Sequence, residues 1–210
     1  MSRAEKIARI QDQIRNEMIL AKVSGEPYRR LLDLLGKGTR SGWRHQFITT
    51  NWDFLLQREI LRLGLTVLPP WLANSHVSHM NGTVEILPNN ANRSPFLLED
   101  DPSTQRTWSI EANVVYNKMI CGQYFVVVGV SFECDTDRFL LKALGDFEDD
   151  LEVGESHWIV LNPDQAALDK VICAIQQHLP RATITPVQRT FGQWLDNRMP
   201  ELRLLGALAV

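Results

Sequence analysis

Polar residues and glycines follow four apolar runs of this sequence, in positions where they could bind a ligand. The four groups are Asn51 with Asp53, Asn81 with Gly82, Gly129 with Ser131, and Asn162 with Asp164. If the apolar runs are parallel strands, all four groups lie at the carboxyl edge of one sheet, where open α/β folds bind ligands. Gly129 would let a ligand approach the backbone, and Ser131 would offer a hydroxyl and N–H groups to a phosphate. Asn162 or Asp164 could bind a ribose.

The first of these groups also has a purely structural interpretation. Residues 47–50 are aromatic or β-branched, which is typical of a buried strand, and apolar residues then continue at helical spacing from Phe54 to Leu63. Asp53 stands where a helix N-cap or first-turn acid belongs, so capping alone would explain it. Every strand–helix connection needs turn residues, and the four groups together are therefore more informative than any one of them.

Apolar runs alternate with amphipathic segments along the chain, which predicts an α/β fold. We expect strands at 47–50, 65–68, 75–80, 124–130, 157–161 and 183–187. We expect helices at 2–22, 28–35, 53–64, 110–121, around 139–144, at 166–179 and at 191–198. The predicted architecture is three-layer and Rossmann-like, with helices flanking a mostly parallel sheet in a single domain, residues 1–210.

Three local features refine this prediction. Ser2 and Glu5 have the spacing of a capping box, so the amino-terminal helix, within residues 1–25, should begin there. Residues 124–130 are apolar on both faces, which is typical of a central parallel strand. Residues 87–107 are rich in Pro, Asn, Asp and Ser, and we expect a mobile surface loop there.

Charge and cysteine content argue against several functional classes. The net charge is −3 and the sequence pI is near 6.0, with no block of Lys or Arg, so nucleic acid is not an expected partner. Cys121, Cys134 and Cys173 form no CxxC pair, which argues against a zinc module and a disulfide framework. The polar amino terminus is unlike a secretory signal, and residues 124–130, the longest apolar run, are too short to span a bilayer. We therefore expect a cytoplasmic protein without a membrane partner.

Four segments together resemble a known family. TTNWD, residues 49–53, resembles the Thr-x-Asn-x-Asp element of the sirtuins, especially of the bacterial sirtuin-like domains of anti-phage defence, which carry TTNYD before a leucine-rich helix. HMNG, residues 79–82, falls where that family has Leu-His-Gly. VVVGVSFECD, residues 126–135, resembles its GYSF…D element, and VLNPD, residues 160–164, resembles its INP strand end. Order and spacing agree over roughly residues 28–195, most of the chain.

The resemblance implies an NAD-binding fold whose members cleave the bond between nicotinamide and ribose. By this resemblance the segment containing Thr50 would lie at the cofactor, where Asn51 would orient water and ribose and Asp53 would hold the carboxamide. Gly129 and Ser131 would contact the phosphates or a ribose. Asn162, followed by Asp164, would contact the adenosine ribose. Breaking this bond develops oxocarbenium character, which well-placed polar groups can stabilise.

The sequence departs from the family pattern at three points. The family begins with a strand that ends in a Gly-Ala-Gly loop, and no such loop precedes residue 28. Asn81 stands where the family has its catalytic histidine, and an amide cannot act as a base. His79 could replace that histidine, or it could be purely structural. The zinc module of the deacetylating members is also missing, with residues 87–107 in its place, so zinc is not expected.

These observations predict a degenerate sirtuin-like domain, with NAD or ADP-ribose as the expected ligand and weak or absent catalysis. Such a domain would act as a nucleotide-binding or partner-binding module, with a protein partner or a second copy as the candidate partner and bacterial anti-phage defence as its setting. The alternative is an active NAD hydrolase that another chain or an unrecorded amino-terminal segment completes. A scaffold that binds no nucleotide is the third interpretation.

Overall fold

The computed structural model describes residues 1–20, 24–35, 45–51, 53, 55–64, 75–80, 110–146 and 156–204. The chain forms two compact units. The first unit comprises Met1–Tyr28 and Trp43–Val115, and the second comprises Arg29–Gly42 and Tyr116–Val210. Helices α2, Glu26–Leu35, and α4, Ile110–Met119, each contribute residues to both units.

The first unit begins with helix α1, Arg3–Leu20, and contains β1, Phe47–Thr49, α3, Leu55–Arg62, and β2, Val77–His79. The predicted capping box is present at α1. The Ser2 N–H donates to Glu5 Oε2 at 2.6 Å, and the Glu5 N–H donates to Ser2 Oγ at 3.2 Å. Two otherwise unpaired N–H groups are satisfied in this way, which fixes where the helix begins.

Strands β1 and β2 are parallel, with Phe47 opposite Val77 and Thr49 opposite His79. The Phe47 N–H donates to the His76 carbonyl at 2.8 Å, and the Met80 N–H donates to the Thr49 carbonyl at 2.9 Å. In a parallel ladder alternate residues bond to the same neighbour, so the backbone of Ile48 faces away from β2. Ile48 is 36% exposed, whereas all three residues of β2 are buried.

The second unit carries a three-stranded parallel sheet in the order β3-β4-β5, formed by Tyr124–Val128, His157–Leu161 and Thr183–Val187. Its helices are α5, Asp135–Gly145, α6, Gln165–His178, α7, Phe191–Asp196, and α8, Pro200–Leu204. Every strand pair in the described part of the chain is parallel, which confirms the predicted direction of pairing. Strands β4 and β5 coincide with the predicted ranges because each is a short apolar or β-branched run between polar turn residues.

The centre of the second unit is strand β4. Trp158, Ile159, Val160 and Leu161 are all buried. The Trp158 ring stacks on Phe125 of β3 with centroids 4.3 Å apart, and its indole N–H donates to Ser156 Oγ at 2.7 Å. One face of the sheet packs on a cluster from α7 and the segment after it, with part of α2. Its fully buried members outside the sheet are Trp194, Leu195, Met199 and Leu202.

Two predictions on the second unit differ from the structure. The run 124–130 forms a shorter strand, and within the described sheet β3 lies at the edge while β4 is central. Apolar residues on both faces indicated a strand with two neighbours, but a single sequence does not say which neighbours are present. The predicted helix 191–198 ends at Asp196, because Arg198 and Met199 adopt positive φ values of 56° and 50°, and α8 then begins.

Several predictions lie outside the described residues. These are the strand at 65–68, the turn at Asn81-Gly82 and the loop at 87–107.

Candidate functional site

In the first unit, Asn51 and His79 lie together at the carboxyl end of the two-stranded sheet. His79 Nδ1 is 2.8 Å from the backbone carbonyl oxygen of Asn51. Because a carbonyl only accepts, Nδ1 carries the proton in this contact. Nε2 of the same ring contacts the side-chain amide nitrogen of Gln57 on α3, and it therefore accepts. The ring is in this way a neutral tautomer held at both nitrogens.

Burial defines what this histidine can do. His79 is completely buried, and Gln57 is buried beside it. Gln57 Oε1 has no hydrogen-bond partner among the described residues. The Gln57 amide therefore donates to the His79 ring while its own oxygen stays unsatisfied. His79 therefore links three parts of the first unit, namely strand β2, the segment that follows β1, and helix α3. These contacts are those of a residue that positions its neighbours.

Asn51, Asp53 and Tyr28 form a polar group in the first unit. Asn51 is exposed, and its N–H donates to Thr49 Oγ1 at 3.0 Å. Asp53 Oδ1 accepts from the Leu55 N–H at 3.0 Å, so this carboxylate does cap the start of α3 as the structural interpretation predicts. Thr50 between them is half-buried. Asn81 lies outside the described residues.

Sequence reasoning missed Tyr28. Burial raises the pKa of its phenol, the negative charge of Asp53 raises it further, and a hydrogen bond with the Asn51 side chain acts in the opposite direction. The phenol therefore belongs to the same polar group as both predicted residues. Tyr28 is separated from them by more than twenty positions in the sequence, and no spacing rule could have linked it to them.

In the second unit, the loop after β3 turns sharply into α5. Gly129 has φ +68°, and Phe132 has φ 53°. A Cβ at position 129 would meet no atom within 4 Å, so the glycine is needed for its backbone angle, and space beside it is open. Ser131 Oγ accepts from the Glu133 N–H at 3.3 Å, which stabilises the turn.

The loop after β4 is built from side-chain to backbone hydrogen bonds. Asn162 Oδ1 accepts from the Asp164 N–H at 3.0 Å, and Asp164 Oδ1 accepts from the Ala167 N–H at 2.8 Å, which caps α6. Lys170 Nζ on α6 lies 3.3 Å from Glu133 Oε1 in the loop after β3, so the two loops are neighbours.

Four predicted residues share one edge of the three-stranded sheet. Because β3 and β4 are parallel and Val128 lies opposite Leu161, the loops that follow them leave the sheet at the same edge. These loops hold Gly129, Ser131, Asn162 and Asp164. The predicted grouping therefore occurs within the second unit. Asn51 and Asp53 belong to the first unit, and their meeting with the other four at one ligand stays a prediction.

A buried carboxyl at the start of α5 is a second feature that sequence reasoning missed. Cys134 is the N-cap of α5, and its Sγ accepts from the Asp137 N–H at 3.4 Å. Asp137 is 5% exposed, and its Oδ1 has no hydrogen-bond partner among the described residues. Burial raises the pKa of this carboxyl, while a hydrogen bond from Cys134 lowers it. Capping spacing between positions 134 and 137 is the signal that could have revealed the pair.

Within the described ranges, no three His, Cys, Asp or Glu residues are grouped so that they could hold a metal ion. None of the described helices combines the length and apolar composition that crossing a bilayer requires. Comparisons with protein-family models, curated proteins and solved structures find no match to this chain.

Proposed function

We propose that this chain is a degenerate sirtuin-like domain of three-layer Rossmann-like fold, which binds NAD or ADP-ribose and cleaves NAD weakly or not at all. The observation that carries the proposal is the shared carboxyl edge of β3 and β4. Gly129, Ser131, Asn162 and Asp164 gather there, at the place where parallel α/β sheets bind nucleotides.

Strand order within each unit supports the proposed fold. Doubly wound sheets commonly run in the order 3-2-1-4-5-6, so strands consecutive in the chain are neighbours within each half. Within each unit of this chain the paired strands are likewise parallel and consecutive in the chain.

The chemistry of the β3–α5 loop suits a phosphate or a ribose. Space beside Gly129 is open, Ser131 presents an exposed hydroxyl, and the amino terminus of α5 lies a few residues further on. Glu133 is paired with Lys170, which reduces the negative charge that an incoming phosphate would meet. Half-buried Asn162, at the end of the neighbouring strand, is placed to bind a ribose hydroxyl.

Weak catalysis follows from the residues of the first unit. Asn51, which is exposed, and Asp53 are the residues that the resemblance assigns to the nicotinamide end, and Tyr28 lies beside them. His79, which contacts the Asn51 carbonyl, is buried, and both its ring nitrogens are already bonded. Asparagine at position 81 supplies no base. Binding without efficient cleavage is the expected result.

Titration calorimetry with NAD and with ADP-ribose tests the proposal. We expect binding of both, and loss of at least about tenfold in affinity, or about 1.4 kcal/mol, for Asn162→Ala. Asn117→Ala is the matched control, because Asn117 is an exposed asparagine of α4 and belongs to neither of the two loops. If neither nucleotide binds at millimolar concentration, the nucleotide-binding proposal is wrong.

Nicotinamide release separates the proposal from the alternative of an active NAD hydrolase. The purified full chain is incubated with NAD, alone and with candidate partner chains, and free nicotinamide is measured. Turnover that disappears in Asn51→Ala would favour the hydrolase. Binding without nicotinamide above the blank would favour the degenerate domain.

A further inference from the structure

The first turn of α5 places a thiol against a buried carboxyl group. Cys134 is the N-cap residue of this helix, and its Sγ accepts a hydrogen bond from the Asp137 N–H at 3.4 Å. The carboxyl group of Asp137 forms a second hydrogen bond, with the Cys134 side chain. One sulfur atom is therefore in contact with both a main-chain donor and an acidic side chain.

The role of Asp137 differs from that of a capping residue. An acid at this position of a capping box accepts from the N–H of the N-cap residue, as Glu5 does from Ser2 at the start of α1. Asp137 Oδ1 instead has no hydrogen-bond partner among the described residues, although Asp137 is only 5% exposed. An unsatisfied buried oxygen lowers stability. A buried acid beside a nucleophile is typical of a site that transfers protons.

The thiol is the more accessible of the two groups. Cys134 is half-buried, whereas Asp137 is buried. Burial raises the pKa of the Asp137 carboxyl because the charged form loses solvation, so this carboxyl accepts a proton more readily than an exposed aspartate does. The start of a helix favours negative charge, and the Asp137 N–H points at the sulfur. Both effects favour transfer of the thiol proton to Asp137, which leaves a nucleophilic sulfur within reach of solvent.

We propose that Cys134 and Asp137 form a peroxide-reactive thiol site, in which a hydroperoxide oxidises the Cys134 thiol to a sulfenic acid and Asp137 carries the proton. Asp137 takes the S–H proton as Sγ attacks one peroxide oxygen. The S–O bond forms while the O–O bond breaks, so sulfur loses two electrons and the hydroperoxide gains them. Asp137 then gives the proton to the departing oxygen, which leaves as water when the reagent is hydrogen peroxide. The inference does not depend on nucleotide binding.

Two other cysteines of the chain serve as internal controls. Cys121 and Cys173 are both exposed, whereas Cys134 is only partly so. Cys121 follows α4 and Cys173 lies inside α6, so neither is at the start of a helix. If exposure alone governed reactivity, these two thiols would react first. The proposed site predicts the reverse order.

Sulfenic-acid labelling of the full chain tests this order. The protein is treated with hydrogen peroxide in the presence of dimedone, which traps sulfenic acids, and tandem mass spectrometry locates the label at single residues. We expect Cys134 to be labelled at least about tenfold faster than Cys121 and Cys173, since participation of a general acid–base is ordinarily worth that much or more. In urea, where the chain is unfolded, the three rates should become similar.

Asp137→Asn separates proton transfer from helix capping. The amide keeps the shape of the side chain and can neither take nor return the proton, so labelling of Cys134 should slow to the rate of Cys173. Glu133→Gln is the matched control, because it removes an exposed carboxylate next to Cys134 and should not slow the reaction.

The comparison among the three cysteines in the unmodified chain keeps the test decisive if Asp137→Asn fails to fold. The proposal is overturned if Cys134 is labelled no faster than the two exposed cysteines. It is equally overturned if folded Asp137→Asn is labelled at Cys134 as fast as the unmodified chain.

Discussion

His79 donates a hydrogen bond from Nδ1 to the backbone carbonyl of Asn51 across 2.8 Å, and this contact joins two residues that sequence reasoning had assigned to catalysis. The contact is to the backbone of Asn51, so its side chain is left to Tyr28 and to solvent. A completely buried imidazole at the end of β2 therefore holds the turn on which the exposed asparagine stands.

Replacing His79 should cost stability. His79→Ala removes hydrogen bonds at both ring nitrogens and leaves a cavity among buried residues, and we expect the free energy of unfolding to fall by about 3 kcal/mol. Urea denaturation measures the change. His157→Ala is the control, since that ring is half-buried and stacks on exposed Tyr124, and its loss should cost about 1 kcal/mol or less. A stable His79→Ala protein that had lost nicotinamide release would instead indicate a chemical role.

Asp164 has both a structural role and a predicted ligand role, and two substitutions separate them. Asp164→Ala removes the N-cap of α6 and should lower the free energy of unfolding by about 1 kcal/mol. Asp164→Ser keeps a capping oxygen without the carboxylate, so stability should be preserved. Calorimetry with ADP-ribose on the serine variant then reports the carboxylate alone, and unchanged affinity would limit Asp164 to capping.

Asp137 predicts a dependence of stability on pH. Burial raises the pKa of this carboxyl above its ordinary 3.8, so the folded state binds a proton that the unfolded state has released. The contribution of Asp137 is therefore most favourable at low pH, and it is lost as pH rises from 3.8 through the folded-state pKa. Asp137→Asn should be more stable than the unmodified chain at pH 7, and the difference should shrink towards pH 4. Thermal melts across this range measure it, and a difference independent of pH would contradict the assignment.

Lys118 predicts the opposite slope in the alkaline range. Burial lowers the pKa of this amine from 10.5 to about 8, so the folded state releases its proton before the unfolded state does. Stability from this group should consequently rise with pH between about 8 and 10.5. Lys118→Met should raise the free energy of unfolding at pH 7 by about 1 kcal/mol, a modest value because the amine is only half-buried and solvent screens its charge. An advantage that grew towards pH 10 would contradict this reasoning.

Sequence patterns predicted the parts of the fold that depend on local composition. The ranges of β4 and β5 agree residue for residue, because each is mainly apolar or β-branched and is bounded by turn residues. Parallel pairing also followed from the alternation of strands and helices. The common edge of Gly129, Ser131, Asn162 and Asp164 was then a consequence of parallel direction alone.

Long-range partners could not be read from the sequence. The link of Gln57 to His79 and the approach of Tyr28 to Asp53 arise from tertiary packing, and neither has a spacing rule. The edge position of β3 could not be predicted either, because an apolar run indicates a buried strand without giving the number of strands that pair with it. The break at Arg198 and Met199 needs positive φ at residues that seldom adopt it, which no propensity would suggest.

The proline in β5 has a consequence for how this protein could assemble. Fibrillar aggregates elongate because each molecule pairs with the preceding molecule through one sheet edge and with the next molecule through the other. In the sheet of the second unit, Pro186 lies in the edge strand β5, and YFVVV forms the edge strand β3. Only the β3 edge therefore favours pairing with a further strand. A ribbon of paired sheets needs both edges, so the missing N–H of Pro186 works against such growth of this sheet.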